Sequence, residues 1–336
     1  MSRRQRLASL LTAVTLTALC GSIAHADPFA NKQIKMLIGS SAGGGYDLFA
    51  RTIVQHWTKH IPGNPSFLPQ NMPGPLSLPV ANNIFNVAPK DGTVIGAVNP
   101  QIASEAILNP SRARFDARQF VWIGSALRET QVMIAGPNAP VTRFEQAFNR
   151  ELILGGSGGA TNTFPTLTNA VLGTKFKIVS GYPGTREVNL AMERGEVQGI
   201  GAITWASVKG TMTEKLRAKE VIVVGQYGAK KHPELPDVTH VPSLAKSPDD
   251  EAALRLLFAT QEFGRPYITS PGTPADTATI LKKSFMATMN DPEFLADAKK
   301  RGLDIEPMEG AEIQALVEQL YRTSPAVIER VRAVFK

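Results

Sequence analysis

The chain has 336 residues, which is enough for two domains of ordinary size. Its formal net charge is +7, but three of these charges are arginines near the N-terminus and the other basic residues are scattered, so we expect no nucleic-acid partner. The single cysteine, Cys20, lies in the N-terminal segment, which excludes a disulfide or a thiolate metal site in the mature chain.

Residues 1–26 have the three parts of a secretory signal peptide. Arg3, Arg4 and Arg6 precede an apolar run that ends at residue 23, and Ala24-His25-Ala26 supplies a small-x-small cleavage pattern. The sequence therefore predicts cleavage after Ala26 and a periplasmic protein. We expect no later segment to cross a membrane, because none has a sufficiently long apolar run.

Two other interpretations of this segment remain open. Cys20 is compatible with a lipoprotein, although Leu19 stands where a lipobox has a small residue. Ser2-Arg3-Arg4 is compatible with twin-arginine export, although Arg6 replaces the usual aromatic residue. The sequence does not decide between the general secretory route and the twin-arginine route.

The first folded unit is predicted to be a strand, a glycine loop and a helix. Residues 34–38 have the length and composition of a buried strand, and apolar residues at 50–61 recur at helical spacing. Gly43, Gly44 and Gly45 expose the backbone between them, and the unpaired N–H groups of a first helical turn suit an anion. The loop fits neither the dinucleotide-binding pattern nor the P-loop. The glycines are also compatible with a tight turn that binds nothing.

The chain continues through a turn-rich stretch at 62–79 to a second predicted strand at 93–98. Two more strands are predicted at 120–124 and 131–135. The charged pair Arg128-Glu129 lies between these two strands, and we place the first passage from one domain to the other there.

The next unit repeats this design. Residues 152–154 form a strand-like run, residues 155–163 form a loop of glycines and hydroxyl side chains, and helical spacing follows. A third loop, 181–185, follows a strand at 177–180. Such alternation of strands and helices specifies parallel sheets, whose ligands lie beyond the carboxyl ends of the strands. Further strands are predicted at 197–203 and 221–224.

The C-terminal third is predicted to be mostly helical. Thr273 and Pro274 have the N-cap and first-turn positions of one helix, and Asp291-Pro292 opens another that ends at Gly302. A short strand is predicted at 303–307. The other expectations here are a loop at 227–248, a helix at 249–260 and a helical tail at 311–335 that is interrupted near Pro325.

Seven segments, taken together and in this order, resemble the tripartite tricarboxylate transporter substrate-binding family, the TctC-like or Bug family of periplasmic receptors. They span nearly the whole mature chain. The segments are Ser41-Ala42-Gly43-Gly44-Gly45-Tyr46-Asp47 with Ala50-Arg51, Asn71-Met72-Pro73-Gly74, Val87-Ala88-Pro89-Lys90-Asp91-Gly92, Gly155-Gly156-Ser157-Gly158-Gly159, Gly181-Tyr182-Pro183-Gly184, Arg194-Gly195-Glu196-Val197 and Pro271-Gly272-Thr273-Pro274.

This resemblance implies an α/β, type II periplasmic-binding-protein fold, with two α/β domains joined by a hinge and the ligand cleft between them. Domain 1 would comprise residues 27–126 and 226–336, and domain 2 would comprise residues 127–225. The implied function is capture of a small mono-, di- or tricarboxylate or an aromatic acid for the membrane permease subunits of a tripartite transporter. We expect a monomer that is not an enzyme and has no cofactor.

The resemblance also implies that the first two glycine loops hold one carboxylate of the ligand, largely through backbone N–H groups. Trp205 lies in a stretch where many relatives have an aspartate, and it either lines the cleft or packs in the core. Asp47 is better suited to capping its helix than to contacting an anion. The full set of expected substrate-binding residues is Ser41, Ala42, Gly43, Gly44, Gly45, Tyr46, Asp47, Ser157, Gly158, Gly159, Ala160, Thr161, Asn162, Gly184, Thr185 and Trp205.

Two alternatives involve other chemistry. Ser157 stands in a G-x-S-x-G pattern typical of a secreted serine hydrolase, with Asp237 and His240 in the order that a triad needs. These two residues are too close together in one loop to favour a triad, so no catalytic residue is expected. His56 and His60 have the i, i+4 spacing of metal ligands, but two ligands do not make a site, so no metal is expected.

Overall fold

The computed structural model describes residues 27–43 and 45–336. The predicted signal peptide and its cleavage site lie outside the described residues, and so does Gly44 of the first glycine loop. Within the described ranges, no helix combines the length and the apolar character that crossing a membrane requires.

Strands and helices alternate along most of the chain. The strands are β1 (Gln33–Ile38), β2 (Ser66–Asn71), β3 (Val94–Ala97), β4 (Val121–Ser125), β5 (Gln131–Ala135), β6 (Leu152–Gly156), β7 (Phe176–Ser180), β8 (Gly199–Thr204), β9 (Ile222–Gln226), β10 (Thr239–His240), β11 (Pro266–Thr269) and β12 (Met308–Glu309). The α-helices are α1 (Gly45–Trp57), α2 (Leu78–Asn86), α3 (Ile102–Leu108), α4 (Ala160–Leu172), α5 (Thr185–Glu193), α6 (Trp205–Arg217), α7 (Pro248–Phe258), α8 (Ala275–Met289), α9 (Pro292–Lys300), α10 (Gly310–Tyr321) and α11 (Pro325–Val334).

The described strands form two six-stranded sheets, with the orders β12-β4-β11-β3-β1-β2 and β10-β9-β5-β8-β6-β7. Strands β1 to β4 lie in the first sheet, β5 to β10 lie in the second, and β11 and β12 return to the first. The chain therefore passes between the sheets twice, first between Ser125 and Gln131 and then between His240 and Pro266. This architecture confirms the predicted α/β fold class.

Strand direction decides where the loops gather. β1 is parallel to β2 and β3, and β6 is parallel to β7 and β8. β5 and β11 are antiparallel to both neighbours, because after each passage the chain enters the sheet at the edge where the parallel strands end. The carboxyl ends of β1, β2 and β3 therefore share one edge of the first sheet, and those of β6, β7 and β8 share one edge of the second.

Apolar side chains under the helices form the core. Strand β1 is buried from Met36 to Ile38, as expected for a central strand covered on both faces. Trp57 at the end of α1 is also buried, and its Nε1 donates a hydrogen bond to Ser284 Oγ (2.9 Å). One hydrophobic cluster contains residues of both sheets, including Trp122 and Leu154. The two halves are therefore packed together as well as covalently connected.

Several predicted limits are confirmed and one stretch is wrong. β5 has the predicted limits, and α9 and α11 begin at Asp291-Pro292 and Pro325 as expected. The loop predicted for residues 62–79 instead contains β2. β2 is an edge strand, and only an edge strand tolerates a residue such as Pro69, which lacks the N–H of a central ladder.

Two details of the C-terminal third are also wrong. Thr273 does not cap α8, because its Oγ1 donates to Ser270 O (2.8 Å) and the helix begins at Ala275. The strand predicted at 303–307 is irregular chain, and the next two residues form β12. β12 is positioned by its pairing with β4, which local composition does not reveal.

The predicted domain limits at residues 126 and 225 remain a prediction. The first limit lies within the first passage between the sheets. The second limit precedes β10, which pairs with β9 in the second sheet. We therefore propose that domain 2 extends to the second passage, beyond His240.

Candidate functional site

The first glycine loop joins β1 to α1 at the carboxyl edge of the first sheet. Ser41, Ala42, Gly43 and Gly45 are exposed. Gly43 has a φ of +78°, a left-handed conformation that favours glycine, and an added Cβ would meet no atom within 4 Å. The described part of this loop is therefore accessible to a ligand.

The buried carboxylate of Asp47 fixes the first glycine loop by hydrogen bonds. Its carboxylate accepts hydrogen bonds from Gly43 N–H (2.9 Å), Asn71 Nδ2 (2.8 Å) and Arg51 Nε (2.8 Å). Burial alone would raise the pKa of Asp47, but these hydrogen bonds outweigh burial and lower its pKa below the usual range. Asp47 thus has a structural, cap-like role, and the N–H of Gly43 is already occupied.

The second glycine loop joins β6 to α4 and is also bound by its own helix. Ser157 N–H donates to Thr161 Oγ1 (2.9 Å), and Gly158 N–H donates to Asn162 Oδ1 (3.0 Å). Gly158 and Gly159 have φ values of +90° and +54°, and a Cβ on either would meet no atom within 4 Å. The loop is shaped by its side-chain partners and presents its glycines to open space.

Backbone donors remain available at the start of α4. Within the described residues, the N–H groups of Gly159, Ala160 and Thr161 form no hydrogen bond with the protein. These are the orphan donors of a helix N-terminus, where the aligned peptide dipoles also leave a partial positive charge. The arrangement suits an anionic group such as a carboxylate.

The third loop lies beside the second. Asn162 Nδ2 donates to Ser180 Oγ at the end of β7 (2.8 Å), so the two loops are joined by a side-chain hydrogen bond. Gly184 and Thr185 follow at the start of α5. The structure therefore brings the expected residues of the second and third loops to one edge of the second sheet.

Trp205 stands one strand further along this edge, at the end of β8. Its backbone N–H donates to Thr130 O in the first passage (2.8 Å), and its Nε1 donates to Glu234 Oε2 (2.6 Å). Lys209 Nζ lies 5.8 Å from the centre of the indole ring. The ring is half-buried and packs against the core of the second half.

A cavity of about 580 Å³ opens beside Trp205. Its lining includes Glu129 from the first passage, Glu262 from the second and Ile305 from the segment before β12. This volume is typical of small-molecule sites. Of the expected binding residues only Trp205 lines this cavity, and no described residue of the three glycine loops does.

Two charged residues beside the first glycine loop were not predicted to belong to the site. Arg265, just before β11, lies over the ring of Tyr46, with its Cζ 4.4 Å from the ring centre. Glu129 Oε1 lies 3.1 Å from Arg265 Nη2. Burial raises the pKa of Glu129, although Arg265 opposes the rise, and burial raises the pKa of Tyr46 to about 12. Only Glu129 had a sequence signal, as part of the charged pair between two strands.

The geometry disfavours the hydrolase interpretation. Ser157 follows β6, whereas His240 lies in β10, four strands away at the end of the same sheet. Since neighbouring strands are about 4.8 Å apart, β6 and β10 are about 19 Å apart across the sheet, far beyond hydrogen-bond reach. His240 Nε2 lies 2.7 Å from Gly228 O instead.

The histidines near the end of α1 belong to a cluster of ion pairs. Ligand atoms of His56, Asp291 and Glu293 lie within 4.8 Å of one another, but Lys59 Nζ contacts both carboxylates at 2.6 Å. His60 Nε2 lies 2.8 Å from Asp291 Oδ2. An ammonium group between the carboxylates opposes a metal ion, so this cluster fits a structural role.

Comparison with solved structures finds the same fold in periplasmic binding proteins. A TctC solute-binding protein from Polaromonas matches with a TM-score of 0.69 and 14% identity, over 90% of this chain and 98% of that chain. The periplasmic binding protein BugD matches with a TM-score of 0.59 and 18% identity, over 90% and 98%. A protein from R. palustris with adipate matches with a TM-score of 0.59 and 20% identity, over 89% and 97%. No protein-family model and no curated protein matches the chain.

These similarities cover nearly the full length of the solved proteins, so they include both sheets and both passages between them. At such identities a structural match establishes the fold, whereas function has to be argued from the site. The chain therefore has the two-sheet α/β fold of the TctC and Bug periplasmic binding proteins, which is the fold that its sequence motifs implied.

Proposed function

We propose that this protein is a periplasmic solute-binding protein that captures a small carboxylate between its two halves. The observation that carries the proposal is the group of backbone donors at the start of α4, which shares its sheet edge with Gly184, Thr185 and Trp205. The shared fold supports it, because one of the matched proteins was solved with adipate. Delivery to the permease subunits of a tripartite transporter and a monomeric state complete the proposal.

The free energy available from the three N–H donors of α4 indicates that one loop is insufficient for micromolar binding. A hydrogen bond to a charged group contributes about 1.5–3 kcal/mol, so three donors supply at most about 5–9 kcal/mol. Micromolar binding needs about 8 kcal/mol after the costs of ordering and desolvation have been subtracted. We therefore assign a second contribution to the first glycine loop, residues 41–47, brought to the ligand by closure of the two halves.

A thermal-shift screen tests the function directly. Mature protein, residues 27–336, is heated with mono-, di- and tricarboxylates and aromatic acids, each beside its neutral amide. A ligand present at a hundredfold excess over its Kd adds about 2.7 kcal/mol to the free energy of unfolding, which raises Tm by several degrees. A shift produced by a carboxylate and not by its amide supports the proposal. If no carboxylate in the screen raises Tm, the proposal is wrong.

Gly158→Asp tests the assigned location. The new carboxylate would lie beside the donors of α4, repel the ligand and compete for the same N–H groups, so we expect affinity to fall at least a hundredfold, or by about 2.7 kcal/mol. Because the φ of Gly158 is +90°, any side chain there also costs about 1–2 kcal/mol of stability. Binding is therefore measured by isothermal titration calorimetry at a temperature where the variant is folded.

Two control variants separate charge from strain. Gly158→Asn has the same shape without the charge and is expected to retain most of the affinity. Gly173→Asp places the same charge at the other end of α4, where φ is +80° and a Cβ also meets no atom within 4 Å. Equal losses in all three variants would show a general effect of strain and would refute the assigned location.

A further inference from the structure

The two passages between the sheets are joined by backbone hydrogen bonds. Ala126 N–H donates to Arg265 O (3.1 Å), and Gly264 N–H donates to Leu127 O (2.9 Å). Glu129 is therefore held on one passage directly beside Arg265 on the other, and their side chains form an ion pair at 3.1 Å. These two charges lie where the halves of the molecule are connected.

The guanidinium of Arg265 extends from this connection to the first glycine loop. Its Cζ lies 4.4 Å from the ring centre of Tyr46 and 5.3 Å from that of Phe49, both in the first turns of α1. Nη2 lies 3.9 Å from the position that a Cβ on Gly45 would occupy. A fixed positive charge thus stands beside the exposed backbone at the start of α1.

One donor of this pair is buried without a partner among the described residues. A guanidinium has five N–H donors, and Nη1 of Arg265 donates to Gly264 O (2.8 Å). Glu129 Oε1, 3.1 Å from Nη2, and the Tyr46 hydroxyl are further partners of Arg265. Its Nε is buried without a partner. The Glu129 side chain is only 8% exposed, and its Oε1 faces this guanidinium.

A pair that served only to connect the passages would be expected to satisfy its own donors. Buried polar groups are nearly always hydrogen-bonded, and a buried ion pair contributes to stability only when its geometry satisfies both partners. In the Glu129–Arg265 pair, the Nε donor of Arg265 lacks such a bond among the described residues. The missing partner is an acceptor oxygen, and a ligand carboxylate has such oxygens.

We propose that Arg265 is a specificity-determining residue that supplies the positive charge of the first glycine loop, with Glu129 as the positioning residue that holds the guanidinium beside Gly45. This inference rests on the proposed function and extends it. The second loop binds its anion through neutral N–H groups alone, whereas the first loop adds a guanidinium. Arg265 therefore sets the preference for an ionised carboxylate over a neutral ligand of the same shape.

Isothermal titration calorimetry on the mature protein tests this preference. The probes are adipate, malate and benzoate, each compared with its neutral amide. The quantity measured is the Kd of the amide divided by the Kd of the carboxylate, which is large when the protein prefers the carboxylate. Arg265→Gln is expected to lower that ratio tenfold to a hundredfold, the effect of losing one charged hydrogen-bonding group. Arg265→Lys keeps the charge without the planar fork and is expected to retain most of the preference.

Arg265→Gln leaves Glu129 buried without a cation, so the double variant R265Q/E129Q is measured as well. It removes both charges at nearly constant volume and is expected to fold, with the preference for carboxylate lost. Arg118→Gln is the matched control, because Arg118 also lies over a tyrosine ring (4.6 Å from Tyr321) and pairs with Asp116, away from the glycine loops.

The outcomes separate this inference from the proposed function. If wild type binds a carboxylate and the double variant keeps the wild-type preference, the role of Arg265 is refuted and the proposed function stands. An equal loss in Arg118→Gln would also overturn it, because the effect would not be specific to the first loop. If wild type binds none of the carboxylates, the proposed function fails and this inference fails with it.

Discussion

At the scale of single residues, Asp47 shows how a loop without side chains acquires a defined shape. Three N–H groups converge on its carboxylate, one of them from the Gly43 backbone within the loop. The loop can therefore remain open to a ligand while its ends are fixed. The second glycine loop solves the same problem with neutral side chains, Thr161 and Asn162.

Asp47→Asn is expected to destabilise the protein by about 2–3 kcal/mol at neutral pH, because an amide nitrogen would face donors that now bind a carboxylate. The pKa of Asp47 is lowered in the folded protein, so the carboxylate contributes fully above its ordinary pKa of about 3.9 and its contribution disappears as pH falls further. Urea denaturation of wild type and variant should give a difference that shrinks at about pH 3. A difference that is constant with pH would contradict this role.

The sequence predicted part of the residue-scale picture. Glycine has no Cβ, so Gly43 and Gly158 could be predicted as exposed loop residues, and Asp47 as a cap, from local rules. The occupation of their N–H groups was not predicted, because it depends on side-chain rotamers. Arg265 was missed because it is more than 200 residues away from the first glycine loop in the sequence. Only the folding of β11 into the first sheet brings the two together.

At the scale of elements, the strand, loop and helix units could be predicted and the short or edge elements could not. β6 is a continuous apolar run and α4 has apolar residues at helical spacing, and their order implied a parallel sheet. β2, β10 and β12 form through pairing with a neighbouring strand, which overrides weak local preference. α3 and α6 also escaped prediction, because α3 has only seven residues and α6 buries only Val208 and Met212.

Asp291 connects the start of α9 with the turn that follows α1. It caps α9 by accepting from Glu293 N–H (2.9 Å), and it binds Lys59 and His60 in the turn that follows α1. The hydrogen bonds from Lys59 and His60 lower the pKa of Asp291, with burial opposing them. Asp291→Ala is expected to cost about 1 kcal/mol for the cap, plus the loss of the ion pairs, as measured by urea denaturation at neutral pH.

The pH dependence distinguishes the ion pairs from the cap. Because the pKa of Asp291 is lower in the folded chain, its charged contribution is present above its ordinary pKa and is lost as pH falls, so the cost of Asp291→Ala should shrink in acid. Ser324→Ala removes a neutral cap that also precedes a proline, Pro325, and its cost should not vary with pH. If both variants show the same pH profile, the ion pairs contribute nothing measurable.

At the scale of the whole molecule, the two sheets share one hydrophobic cluster as well as two passages. Phe258 at the end of α7 belongs to this cluster, and its ring centre lies 4.6 Å from that of Phe164 and 4.9 Å from that of Tyr227. The same cluster contains Trp122 and Ile268 of the first sheet. We therefore expect wild type to unfold in one cooperative transition, although it contains two sheets.

Phe258→Ala is expected to lower the free energy of unfolding by about 3–5 kcal/mol, because it leaves a cavity in the shared cluster next to α4. We also expect the two halves of the variant to unfold separately. Differential scanning calorimetry should show one transition for wild type and a broadened or double transition for the variant. Phe294→Ala is the matched control: Phe294 is equally buried, but its cluster contains residues of the first half alone, so Tm should fall while the single transition persists. Two separate transitions in wild type, or a split in the control, would mean that the halves fold independently and that only the two passages couple them.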